Sequence, residues 1–243
     1  RRGAAEGAAS RDFQGSPGMM ARSAALLLLL AQMFQFGADT IVRETSLGGN
    51  LYLVNRTYRL TQAYEPADLT VPAVRRAAGE LMLRREAAGA LEALFEAAKE
   101  AGVSLVAVSG YRSYARQAAI YHRKVSSVGA KAAQLLVAPP GASEHQLGLA
   151  VDVSRASAGG LNGAFGRSRE GRWLLENAPR FGFIVRYQAR WTNVTGYADE
   201  PWHIRYLGAE HAEAVTRLDV PLETYVEMLM RQHFGAYLDD GKR

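Results

Sequence analysis

Short apolar runs and amphipathic stretches succeed one another along the chain with little regular spacing. Residues 46 to 70, "SLGGNLYLVNRTYRLTQAYEPADL", alternate apolar and polar positions between Gly, Asn and Pro punctuation, which predicts an extended arm or short strands. Residues 72 to 100 are rich in Ala, Leu, Glu and Arg, with Leu81, Leu83, Leu91, Leu94 and Phe95 among the apolar positions. They predict a long helix or a pair of helices ended by Gly102. "VSLVAVSGY", Val103 to Tyr111, reads as a buried strand, and residues 113 to 127 return to a helical pattern with Ser113 as its N-cap. Pro139, Pro140 and Gly141 force a loop before His145. Strands follow over Gly148 to Ser154, Phe183 to Tyr187 and Trp202 to Leu207, with a helix over Gly171 to Arg180 and two closing helices from Ala209 and Leu222. Strands at uneven spacing among helices predict an α+β fold with a small, largely antiparallel sheet flanked by helices.

One position interrupts this pattern. In the strand from Gly148 to Ser154, Leu149, Val151 and Val153 share one face, and Asp152 stands on the other beside Gly148, Ala150 and Ser154. A buried, ionised Asp without a partner is costly, so something positive must meet it: an arginine, a protonated histidine or a metal ion. His145, seven residues earlier, reaches Asp152 only from the loop after Gly141. In "DEPWHIRY", His203 and Arg205 share one strand face, and Glu200 lies beyond Pro201, which discourages regular pairing at that point. Two imidazoles, one carboxylate and an open position make a catalytic zinc set. The spacing alone leaves this reading open against an Asp152–arginine pair with satisfied histidines, and no H-E-x-x-H motif is present.

The 243 residues supply one sizeable core, and the absence of cysteine excludes disulfides, thiolate metal sites, a cysteine nucleophile and a lipid-modified N-terminal Cys. Any metal must be held by carboxylates and by His122, His145, His203, His211 or His233. The net charge of +5 favours anionic partners, but no dense basic block with interleaved aromatics marks a nucleic-acid binder. Residues 1 to 18 are small and polar, without periodicity. Arg22 then precedes an apolar run from Ala24 to Ala31. Residues 1 to 45 therefore read as a disordered extension with a signal-like segment near residues 20 to 38, which implies export, by cleavage or as an anchor, and residues 46 to 243 as the one main domain.

"SGYRSYARQ" (Ser109 to Gln117), "PPGASEHQLGLAVDV" (Pro139 to Val153), "WLLENAPRFGFIVRY" (Trp173 to Tyr187) and "TGYADEPWHIRYLG" (Thr195 to Gly208), in that order, resemble the VanY-type D-alanyl-D-alanine carboxypeptidases. These belong to the zinc peptidase superfamily shared with lysostaphin and the hedgehog domain. The likeness runs over about residues 50 to 210. It implies that His145, Asp152 and His203 hold Zn2+, that Glu200 is the catalytic base, and that Arg112 binds substrate and steadies the oxyanion. Gln117 and Ser143 are further candidates for contacting a terminal D-alanine. The implied substrate is a peptidoglycan stem peptide cut by a monomeric enzyme. An endopeptidase or dipeptidase of the same superfamily, or a silent wall-binding module, are the alternatives. Gln188, Arg190 and Trp191 depart from common family wording and bear on loop shape. His122, His211 and His233 fall on expected helices outside the motifs and read as structural.

Overall fold

The computed structural model describes residues 38–77, 79–156 and 160–239. Val42–Arg243 forms one compact unit, distinct from Arg1–Ile41. The signal-like stretch before residue 38 lies outside the described residues.

The centre is a four-stranded antiparallel sheet ordered β3-β4-β6-β5, built from β3 (Leu105–Ser109), β4 (Ala150–Arg155), β5 (Phe183–Tyr187) and β6 (Glu200–Tyr206). A two-stranded ribbon, β1 (Leu69–Thr70) with β2 (Leu83–Arg84), precedes it. The sheet's two faces have different chemistry. Leu105, Ala107, Leu149, Val151, Val153, Val185 and Ile204 pack with Leu91, Leu94 and Ala98 of the helix Arg85–Glu100 and Leu174 of the helix Arg169–Asn177. The alternate positions, Asp152, Ser154, Arg186, His203 and Arg205, are also buried, and they make the second face polar.

The helix expected over residues 72 to 100 begins only at Arg85. Pro72 and Gly79 interrupt the preceding stretch, and Leu81 and Leu83 are buried at a strand's two-residue interval, so that segment joins the ribbon instead. The helix Tyr114–Val128 forms as expected, with Ser113 Oγ accepting from the Arg116 amide. A helix that the pattern did not predict, Ala130–Leu136, follows after Gly129, and only Ala133 of it is buried. The closing helices are Ala209–Leu218 and Leu222–Asp239. His211 is buried against the Tyr225 hydroxyl at 2.9 Å, the structural role expected of it.

Candidate metal centre

Three local features bring distant residues to one point. His203 of β6 stands directly across from Asp152 of β4. On the other side of β4, β3 carries one extra residue between Ala107 and Ser109, so Ser109 is paired with Asp152 and the chain bends at Gly110 and Tyr111. His145 arrives on a 3-10 turn, Glu144–Leu147, closed by Gly148 at φ +69. Gly148 suits that position because a side chain there would strain the backbone and meet Leu69 and Arg84 at 3.0 Å.

The pairing of β5 with β6 slips by two residues opposite Pro201: Val185 faces Ile204, yet Tyr187 faces Glu200. Positions three apart on a straight strand point to opposite faces. The irregular passage past a residue with no amide hydrogen brings Glu200 Oε2 to 3.9 Å from His203 Nδ1 instead.

Around the Asp152 carboxylate stand His145 Nε2 at 3.4 Å, His203 Nδ1 at 3.2 Å and Arg112 Nη2 at 4.0 Å. One donor atom from each of His145, Asp152 and His203 lies within 4.8 Å of the others, and all three residues are buried. The orientation of each ring is set from behind. His145 Nδ1 donates to the Gly110 carbonyl at 2.7 Å, which leaves Nε2 with its lone pair toward Asp152. His203 Nε2 lies 3.3 Å from Glu144 Oε2, which turns Nδ1 inward. Tyr187 stacks on the His203 ring and Tyr197 on Tyr187, with centroids 4.9 and 4.8 Å apart, and the Arg56 guanidinium covers Tyr197 at 4.4 Å.

Behind the histidines lies a buried ionic network. Glu144 Oε1 accepts from Arg186 Nε at 2.8 Å and Arg205 Nη1 at 2.9 Å. Arg186 spends its other two nitrogens on Glu223, and Arg205 Nη2 donates to the Asn50 and Tyr52 carbonyls. Burial alone would raise the Glu144 pKa, but the two arginines and His203 hold it far below the usual carboxylate range. Sequence reasoning missed Glu144 and Arg186, and it placed Arg205 on the His203 face without finding its partner. Part of the signal was present: an arginine inside "FIVRY", a strand otherwise apolar and aromatic, demands a buried anion.

The electrostatics separate the groups. Burial, with Arg112 adding to it, lowers His145 to about 4, so its ring is neutral near pH 7. Burial would lower His203 too, but hydrogen bonds to Asp152 and Glu144 outweigh it and raise the ring to about 9. Burial works against ionised Asp152, and the His145 and His203 contacts reverse that effect and hold its pKa far down. Glu200 is pushed up to about 7, chiefly by burial and partly by Asp152, against the pull of His203.

These features fit a divalent cation. The buried His145 Nε2 has no hydrogen-bond partner and aims a lone pair at an anionic carboxylate 3.4 Å away, an opposition of two acceptors that a cation relieves. Nε2 of His145, an Asp152 oxygen and Nδ1 of His203 are the two-nitrogen, one-oxygen set that catalytic zinc accepts. Gln117 and Ser143 are buried nearby without hydrogen bonds to the three. Gln117 Nε2 donates to the Ala138 carbonyl at 2.6 Å and leaves Oε1 unpartnered, and Ser143 precedes the 3-10 turn without capping it through its side chain.

The profile of the VanY D-alanyl-D-alanine carboxypeptidase family matches residues 80–209. The chain is 44% identical to the Bacillus subtilis protein YodJ over 200 residues, which is 80% of this chain and 72% of that one. Among solved structures it resembles the LD-carboxypeptidase LdcB at 47% identity and a TM-score of 0.68, covering 72% of this chain and 84% of that one. It also resembles a vancomycin-resistance D,D-pentapeptidase VanY solved with Zn(II), at 36% identity and a TM-score of 0.62, covering 73% of this chain and 98% of that one. With its motifs, its α+β fold and the convergence of His145, Asp152 and His203, the chain belongs to the VanY D-alanyl-D-alanine carboxypeptidase family.

Proposed function

We propose that the protein is a zinc-dependent carboxypeptidase that removes the C-terminal D-alanine from peptidoglycan stem peptides. The observation that carries this reading is geometric: the Glu200 carboxylate stands 3.9 Å from His203 Nδ1 of a buried His-Asp-His group. His145, Asp152 and His203 hold the zinc. Bound there, zinc supplies Lewis acidity toward water and the scissile carbonyl.

The chain's own groups do the rest. Glu200, poised near neutrality, takes a proton from the attacking water and passes it to the amine nitrogen as the C–N bond breaks. Arg112 projects beside Asp152 with its buried Nε unpartnered, which leaves donors for the substrate's carbonyl or terminal carboxylate. Its backbone amide, bonded to the His145 carbonyl at 3.2 Å, ties its position to that of the metal ligand. Gln117 Oε1, buried without a hydrogen-bond partner, is the acceptor we assign to a substrate amide or ammonium group.

The assignment separates two variants. Glu200→Gln keeps the three ligands, so it retains zinc and binds peptide while turnover falls by at least about 100-fold. Arg112→Ala keeps the base and weakens binding or transition-state stabilisation. Turnover by Glu200→Gln near the wild-type rate would overturn the mechanism.

We further propose that the enzyme is exported and acts as a monomer in the cell envelope. The signal-like segment near residues 20 to 38 and the wall-derived substrate support the export. An N-terminus near Asp39 or slightly beyond, recovered outside the cytoplasm, is the expected result, and intact N-termini confined to the cytoplasm would contradict it.

A further inference from the structure

Between Glu100 and Glu144 the chain contains no acidic residue, while it carries Arg112, Arg116, Arg123, Lys124 and Lys131. All but Arg112 lie on the two helices Tyr114–Val128 and Ala130–Leu136, which bury only Gln117 and Ala133. Arg116, Arg123 and Lys131 are exposed and Lys124 is partly so. Among the described residues none of these four is in an ion pair, although other surface cations, such as Lys99 and Arg231, are paired.

The pair of helices is held beside the metal centre by polar ties. Gln117 bonds the Ala138 carbonyl, the Leu135 carbonyl accepts from the Ala198 amide at 3.0 Å, and Arg56 donates to the Gln134 carbonyl. The acid nearest in sequence to the Ala198 tie, Asp199, already accepts from the Ala189 amide. A surface that contributes so little to the core, bears one sign of charge and is tied at Leu135 to Ala198, two residues before Glu200, creates a potential felt by what approaches Glu200.

We propose that this helical pair attracts carboxylate-rich stem peptides, so that the enzyme prefers substrates whose branch carboxylates are free over the same peptides with those carboxylates amidated. The proposal rests on the carboxypeptidase reading for its substrate. Charge complementarity chooses the occupant: a stem peptide offers several carboxylates within the reach of one extended chain, and four cations without a counter-acid among the described residues stand on the two helices that follow Arg112.

The test uses the zinc-loaded protein and a combined Arg123→Gln, Lys124→Gln, Lys131→Gln variant, none of whose changes touches a ligand or Glu200. Two stem pentapeptides, identical except that the branch carboxylates are free or amidated, are titrated for binding and assayed for kcat/KM at low and physiological salt. The wild type is expected to favour the free-acid peptide by about tenfold at low salt, with the preference shrinking as salt rises. The variant is expected to lose that preference and keep kcat. Equal affinity of the wild type for both peptides, or a variant that retains the preference, would overturn the proposal. Loss of sedimentation with phosphatidylglycerol vesicles in the variant, with peptide preference intact, would assign the surface to a bilayer instead. If neither peptide is cleaved, the carboxypeptidase reading fails, and the binding titration still decides the charge preference.

Discussion

Replacing Glu144 by Gln is the change that bears most on how the metal centre is built. The side chain is fully buried, and its two oxygens receive three charged donors, Arg186 Nε, Arg205 Nη1 and His203 Nε2, at 2.8, 2.9 and 3.3 Å. The amide retains one acceptor and turns an N–H pair toward a donor, and it leaves two buried guanidiniums with only Glu223 as counter-anion. Breaking a buried ion pair on one side costs about 3–5 kcal/mol, because the surviving charge stays desolvated. Arg205 can shed part of its burden onto the Asn50 and Tyr52 carbonyls, which places the expected loss toward the lower end of that range. His203 also loses the anion that orients it, and loss of such support weakens metal binding by about 10- to 100-fold. Urea unfolding of the metal-free protein measures the first effect, and competition with a chelator measures the second. Lys99→Ala, which removes an exposed pair with Glu96, serves as the control and should leave both unchanged. If Glu144→Gln unfolded within 1 kcal/mol of wild type and kept its zinc affinity, the network would not support the site in the way the geometry implies.

His203→Ala should lose zinc, read as metal per protein after dialysis, because Nδ1 is one of the three donor atoms proposed to hold it; full occupancy would move the site elsewhere. His211, buried against Tyr225, is lowered by burial to about 4. The unfolded chain therefore binds its proton first, and this contribution to stability is complete above about pH 6.5 and lost as pH falls toward 4, by up to about 3 kcal/mol. Unfolding curves of wild type and His211→Gln across that range should diverge, and parallel curves would refute the assignment. Gly148→Ala forces a left-handed residue with a side chain against Leu69 and Arg84, and thermal melting should show a loss of at least about 1 kcal/mol.

Much of this was legible where one local rule sufficed. The alternation around Asp152 marked the strand and its polar face, the alternation in "HIRY" put His203 and Arg205 on one face of another strand, and Ser113 marked a helix start that the structure keeps. Pro201 flagged the irregular pairing that turns Glu200 toward His203. What escaped depended on long-range closure. Glu144 looks like an ordinary turn residue until Arg186 and Arg205, 42 and 61 positions away, fold onto it. The Ala-rich wording of residues 72 to 84 favours helix locally, but pairing of Leu83 with Thr70 and burial of Leu81 decide otherwise. Ala130–Leu136 is short, and its attachment through Leu135 and Gln134 to distant loops leaves no trace in periodicity.

The most direct test of the central claim is the mass of the product when the zinc-loaded protein meets a stem pentapeptide, with the tetrapeptide run beside it because LdcB is an LD-carboxypeptidase. The predicted result is loss of one alanine from the pentapeptide and none with the His203→Ala protein. An unchanged pentapeptide, or release of an intact dipeptide in place of one alanine, would contradict the account.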